Sequence, residues 1–146
     1  MADTVPVLLG IAGLVQGESY LLASGVAVVI GRSRSCDISL RRTTGYIKTP
    51  ADVRDSDHDF NTVSRRHARV EIHDKKVRIE DLSTNGTYVN GTQLSGSTEV
   101  DLGNGICNLR LGTRESFDLV LMEKNDPRVS AIQPVSSSPP SEDTKD

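Results

Sequence analysis

The chain has 146 residues, enough for one substantial hydrophobic core and too few for two. With three Tyr, two Phe and no Trp, that core is aliphatic, and there is no aromatic cluster on which nucleic-acid bases could stack. The net charge is −3, but residues 31–69 hold nine Lys/Arg against five Asp while the rest of the chain is acidic. That distribution suits a discrete anionic ligand and argues against the continuous basic stripe that a duplex requires.

Val5 to Val15 is apolar in the way of a secretion signal. Asp3 stands where such a signal is basic, and Gly10 and Gly13 interrupt the run, so it reads as strands and a turn. No segment is long enough to span a membrane. Further on, the dominant period is two. Val26, Val28 and Ile30 alternate with other residues, as do Ala68, Val70 and Ile72, then Val77 and Ile79. Cys107, Leu109 and Leu111 repeat the pattern, followed by Phe117, Leu119 and Leu121. Short alternating runs bounded by Gly, Asn, Asp or Ser are strands, and helical spacing nowhere persists beyond two turns. The class is therefore all-β, a sandwich or a barrel.

Two stretches break this rhythm. Residues 40–62 are polar, charged and interrupted by Pro50, and read as a long loop. From Asn125 the chain is rich in Ser, Pro and charge, so the domain is expected over 1–124 and a disordered tail or linker over 125–146.

Candidate chemistry sits at IGRSRSCDISL (30–40), VSRRHARV (63–70) and DLSTNGTYVNG (81–91). Asn85-Gly86 and Asn90-Gly91 each favour a tight reversal, because both residue types tolerate positive φ. Gly31-Arg32 ends a strand with a sharp turn and a planar fork of donors. Ser64 and His67 have a spacing that a nucleophile and its base could use. However, no Gly-x-Ser-x-Gly elbow surrounds the serine, and Arg65 and Arg66 lie between the two. Arginines beside a hydroxyl and exposed amides instead make a phosphate site. Asp55, Asp57 and Asp59 open like a calcium loop, but Phe60 and Arg66 stand where glycine and glutamate are needed, so no metal is expected. Asp57 and Asp59 could instead close the loop against nearby arginines. Cys36 and Cys107 fit no metal spacing and read as free thiols of a cytosolic protein.

Taken in order, Gly31-Arg32, Ser64-Arg65-Arg66-His67 and DLSTNGTYVNG resemble a forkhead-associated domain, over roughly Val5 to Glu123. The resemblance implies a β-sandwich of two antiparallel sheets with about eleven strands and the ligand loops at one end. It implies a module that binds phosphothreonine peptides, without catalytic activity or cofactor. Residue by residue, Arg32 contacts the phosphate, Ser64 donates its hydroxyl to a phosphate oxygen, and Arg65 reaches the phosphate or the peptide backbone. Thr84 lines the same pocket and Asn85 bonds the peptide backbone beyond the phosphothreonine. Gly31, His67 and Gly86 shape the loops.

The expected partner is thus a phosphothreonine protein, the substrate of a Ser/Thr kinase, met in the cytoplasm or nucleus, with no membrane and no nucleic acid. A phosphate-independent scaffold binding through its sheet surface, and more distantly a nucleic-acid binder, are the alternatives. One departure from the family pattern stands out: residues 40–62 are longer by about fifteen residues than the family usually has there. This insertion is expected near the site, where it could extend peptide contacts, act as a lid or occlude the pocket. It contains Thr49-Pro50-Ala51-Asp52, which raises self-association through a phosphorylated Thr49 as a secondary reading beside an ordinary surface loop.

Overall fold

The computed structural model describes residues 4–22, 25–132 and 134–135. Its strands are β1 (Thr4–Ala12), β2 (Ser19–Leu22), β3 (Ala27–Gly31), β4 (Ile38–Ser39), β5 (Ala68–His73) and β6 (Lys76–Asp81). There follow β7 (Thr87–Val89), β8 (Thr92–Gln93), β9 (Ser97–Asp101), β10 (Cys107–Leu111), β11 (Glu115–Glu123) and β12 (Pro134–Val135). They form two sheets, ordered β12-β2-β1-β11-β10-β7-β8 and β4-β3-β5-β6-β9. Pairing is antiparallel except at two margins, where β12 runs parallel to β2 and β4 parallel to β3. The expected sandwich is present, with parallel pairs at those margins.

The alternations locate the core. Val28, Ile30, Val70, Ile72, Val77 and Ile79 from one sheet face Leu8, Leu109, Leu111, Phe117 and Leu119 from the other, all 0% exposed. β1 does not alternate cleanly because it is covered on both sides. Leu8 joins the inter-sheet core, while Val7 packs outward with Met122 and Val129. Val129 belongs to α4 (Pro127–Ser130), so chain beyond residue 124 lies against the outer face of the larger sheet. The remainder of the Ser/Pro-rich segment, 136–146, lies outside the described residues.

Residues 40–62 differ from the loop expected of them. They form a 3-10 turn (Leu40–Arg42) and three short helices, α1 (Thr44–Lys48), α2 (Ala51–Asp55) and α3 (His58–Asn61). Several of the turns are started by a small polar cap: Ser39 accepts from Arg41 N, Thr43 from Tyr46 N and Asp57 from Phe60 N. Helices of four or five residues leave no 3.6-residue periodicity to read and are not stable alone, so packing must hold them. Leu40, Tyr46, Phe60 and Val63 supply it by joining the main core.

The two Asn-Gly pairs also part company. Asn90 (φ 51°) and Gly91 (φ 85°) make the two-residue hairpin turn between β7 and β8. Asn85-Gly86 lies instead on the segment that crosses from β6 in one sheet to β7 in the other. No helix among the described residues is long and apolar enough to cross a membrane.

Because Phe60 is 4% exposed within the core, Phe60→Ala should cost about 3–5 kcal/mol in urea unfolding, where a surface-loop residue would cost well under one. A loss below about 1 kcal/mol would mean that the insertion is not packed as described.

Candidate functional site

The site is built where two loops run side by side. Beyond β3, Arg32 N donates to Ser64 O and Ser33 N to Arg65 O, both at 3.0 Å, while His67 N donates to Ile30 O at 2.8 Å. Cys36 Sγ donates to the same Arg65 carbonyl at 3.0 Å. A side chain at Gly31 would forbid this approach, since its Cβ would lie 2.1 Å from Arg65 O. Arg42 secures the first loop from outside, donating to the carbonyls of Arg34 and Asp37 at 3.1 and 3.0 Å.

A third loop, from β6 to β7, completes the end of the sandwich. Asp81 organises it by accepting from Ser83 N (3.0 Å), the Ser83 hydroxyl and Thr87 Oγ1 (2.8 Å). The Ser83 oxygen in turn accepts from Gly86 N at 2.8 Å. Gly86 has φ +109°, a conformation other residues rarely adopt. Burial opposes ionisation of Asp81, but these donors outweigh it and hold its carboxyl below the usual range.

His67 joins the loops. Its Nδ1 accepts from Ser64 N at 2.9 Å, so Nε2 carries the proton and donates to Gly86 O at 2.8 Å. The ring is 0% exposed, and burial holds its pKa below the ordinary value despite the Gly86 carbonyl and the Asp81 charge. Both nitrogens are engaged away from the Ser64 hydroxyl, whose oxygen accepts from Thr84 N at 3.0 Å. Ser64 and His67 are therefore not arranged as a nucleophile and its base.

The structure brings the anticipated residues together on these loops. Arg32 and Ser64 are half-buried; Arg65, Thr84 and Asn85 are exposed; Gly31, His67 and Gly86 are buried. Arg32 Nε donates to Val63 O, its guanidinium lies 5.8 Å from the Phe60 ring centre, and Asn85 Nδ2 donates to Thr62 O at 3.1 Å. Thr62, Val63 and Ser64 thus hold Asn85, Arg32 and the Thr84 amide in turn. Sequence reading missed the first two because they act through carbonyls. It also missed Asp81, although Asp-x-Ser is a side-chain-to-backbone turn pattern that could have revealed it. Asp57 and Asp59 do close the insertion against an arginine: Arg114 lies 3.0 Å from Asp57 and 3.8 Å from Asp59. Among the described residues no group of three or more His, Cys, Asp or Glu is placed to hold a metal ion. Thr49 is half-buried at the end of α1, its hydroxyl donating to Gly45 O at 2.7 Å.

The state of His67 has a consequence in solution. Its folded pKa lies below the unfolded value of about 6.5, so the unfolded chain takes up the proton first. The stabilisation is complete above about pH 6.5 and is lost as pH falls through the folded value. Urea unfolding at pH 7.5, 6.5 and 5.5 should show this loss, and His67→Gln should remove it. The same variant should lower stability at pH 7.5 by about 1–3 kcal/mol, because Ser64 N loses its acceptor. An unchanged pH dependence in His67→Gln would overturn the assignment.

Comparison with known proteins gives the same answer by a separate route. The family model for the FHA domain matches residues 28–112, a span that contains all three loops. The structure is similar to the FHA domain of the CT664 protein from Chlamydia trachomatis, with 28% identity and a TM-score of 0.59 over 80% of this chain and 96% of that one. It is similar to an FHA domain described for phosphothreonine-dependent interactions, with 26% identity and a TM-score of 0.55 over 78% and 94% of the two chains. It shares the fold of the N-terminal FHA domain of S. cerevisiae Rad53p in complex with a phosphothreonine peptide (16% identity, TM-score 0.55, 88% and 99% covered). No curated protein sequence matches the chain. With the loop pattern, the sandwich and more than half of the chain in agreement, this protein belongs to the FHA, or forkhead-associated, domain family of interaction modules.

Proposed function

We propose that the domain binds phosphothreonine-containing segments of partner proteins and recruits them in Ser/Thr kinase signalling, without chemical turnover. The observation that carries this reading is the unspent bonding capacity at the loop end. Ser64 Oγ accepts from Thr84 N, which leaves the hydroxyl proton to be donated to a phosphate oxygen. Asn85 uses Nδ2 on Thr62 O, which leaves its carbonyl oxygen to accept from a peptide N–H. Arg34, Arg65 and Arg66 are exposed, and among the described residues their guanidinium groups take part in no hydrogen bond, ion pair or ring contact. Arg69 and Arg78, by contrast, lie near Glu71 and Glu80 on the outer face of the smaller sheet.

A phosphothreonine brings about −1.5 to −2 charges and three strong acceptors, which the arginines and the hydroxyl match in sign and number. A Ser/Thr kinase draws on intracellular ATP, which favours the cytoplasm or nucleus as the place of the encounter. The related FHA domain described for phosphothreonine-dependent interactions supports the same reading. The paired charges on the smaller sheet weaken the alternative of a scaffold that binds through that surface.

The test is calorimetry with a degenerate peptide pool centred on phosphothreonine, against phosphoserine and unphosphorylated pools. Binding should require phosphate and favour threonine, and Arg32→Ala should weaken it roughly 10- to 100-fold, the value of one charge-assisted bond. Arg34→Ala with Arg66→Ala should flatten the salt dependence while sparing the phosphate requirement. Equal binding of phosphorylated and unphosphorylated pools would refute the proposal, and a steep salt-dependent affinity for nucleic acid would replace it.

A further inference from the structure

The insertion between β4 and β5 lies beneath the proposed phosphate site and is joined to it. Among the described residues, Arg32 is anchored there by its Nε, which donates to Val63 O, and by its guanidinium, which rests 5.8 Å from the centre of the Phe60 ring. Phe60 is itself immobilised, 4% exposed and 5.2 Å from the Tyr46 ring. Arg41 lies 5.4 Å from Phe60 and 5.7 Å from Tyr46, and donates to the Tyr46 hydroxyl at 2.9 Å. Arg54 of α2 covers Tyr46 at 4.6 Å. Guanidinium groups and rings therefore form one continuous chain of contacts from α2 to Arg32.

The far end of the insertion is clamped as well. Asp57 caps α3 through Phe60 N at 3.1 Å and pairs with Arg114 at 3.0 Å. Asp59 accepts from the Thr113 hydroxyl at 2.6 Å, and Thr113 N donates to Thr62 Oγ1 at 3.2 Å. The turn between β10 and β11 thus fixes Thr62, and burial fixes Val63; their carbonyls orient Asn85 and Arg32.

We infer that the insertion is a platform that pre-organises Arg32, with Phe60 as the positioning residue, rather than a lid or an occluding plug. The ligand assigned to Arg32 rests on the phosphothreonine reading; the platform rests on the contacts above. An arginine held in one orientation before the ligand arrives has less freedom to lose on binding, which raises affinity without a new contact. A guanidinium within about 6 Å of a ring face is also attracted by the ring electrons, and an aliphatic side chain of similar bulk does not reproduce that attraction.

The experiment uses the whole chain and four proteins: wild type, Phe60→Leu, Arg32→Ala and the double variant. NMR would follow the Arg32 Nε–H, identified by its absence in Arg32→Ala. In the wild type this proton should be ring-shifted and protected from exchange, and Phe60→Leu should abolish both signatures. Calorimetry with the phosphothreonine peptide pool should show Phe60→Leu weakening binding about three- to tenfold, with no further loss when it is added to Arg32→Ala. A folded Phe60→Leu that keeps the protected proton, or that loses the same factor in the Arg32→Ala background, overturns the platform. If the wild type binds without regard to phosphate, the phosphothreonine reading falls and the Nε–H signal alone decides the platform.

Discussion

A neutral imidazole can offer one hydrogen-bond donor and one acceptor, and His67 spends both on joining loops of different parentage. Its acceptor takes the amide of Ser64, which precedes β5 in the smaller sheet, and its donor goes to the carbonyl of Gly86 on the crossing to the larger sheet. Protonation would turn the acceptor into a second donor facing an N–H, so the bridge exists only in the neutral ring. Burial enforces that state, since a charged imidazole without water is costly. The geometry of four of the five anticipated ligand residues depends on this link, because Ser64, Arg65, Thr84 and Asn85 lie within two residues of one of its ends.

Around that link, side chains and main chain divide the labour. Arg65, Thr84 and Asn85 are exposed, while the half-buried Ser64 hydroxyl and the Thr62 carbonyl fix where Thr84 and Asn85 stand. Three consecutive residues, Thr62 to Ser64, hold Asn85, Arg32 and the Thr84 amide. Placing so many duties on one tripeptide requires that it not move. That rigidity comes from its surroundings: Val63 is 0% exposed in the core and Thr62 is tied to Thr113.

Residues 40–62 show how local sequence misleads. Polarity, charge and Pro50 read as a loop because each helix is too short to display an apolar stripe. Signs of order are present in the sequence but scattered. Ser39, Thr43 and Asp57 are good helix starters, and Tyr46 and Phe60 are two of only five aromatic residues in the chain. Aromatic residues set in a polar insertion are a reason to expect packing, since about 150–250 Å² of surface must go somewhere.

The sequence by itself determined the alternating strands, the aliphatic core and the identity of the side chains gathered at the loop end. Alternation is a local property, and Gly31, Gly86 and the Arg-Ser-Asn set keep their chemistry wherever the chain takes them. Tertiary structure alone decided which groups hold them in place. Arg32 is fixed by a carbonyl 31 residues away, Asn85 by one 23 residues away, and the insertion by Arg114, 57 residues from Asp57. Every residue carries the same carbonyl, so composition cannot mark the one that matters; only the fold brings it within bonding distance.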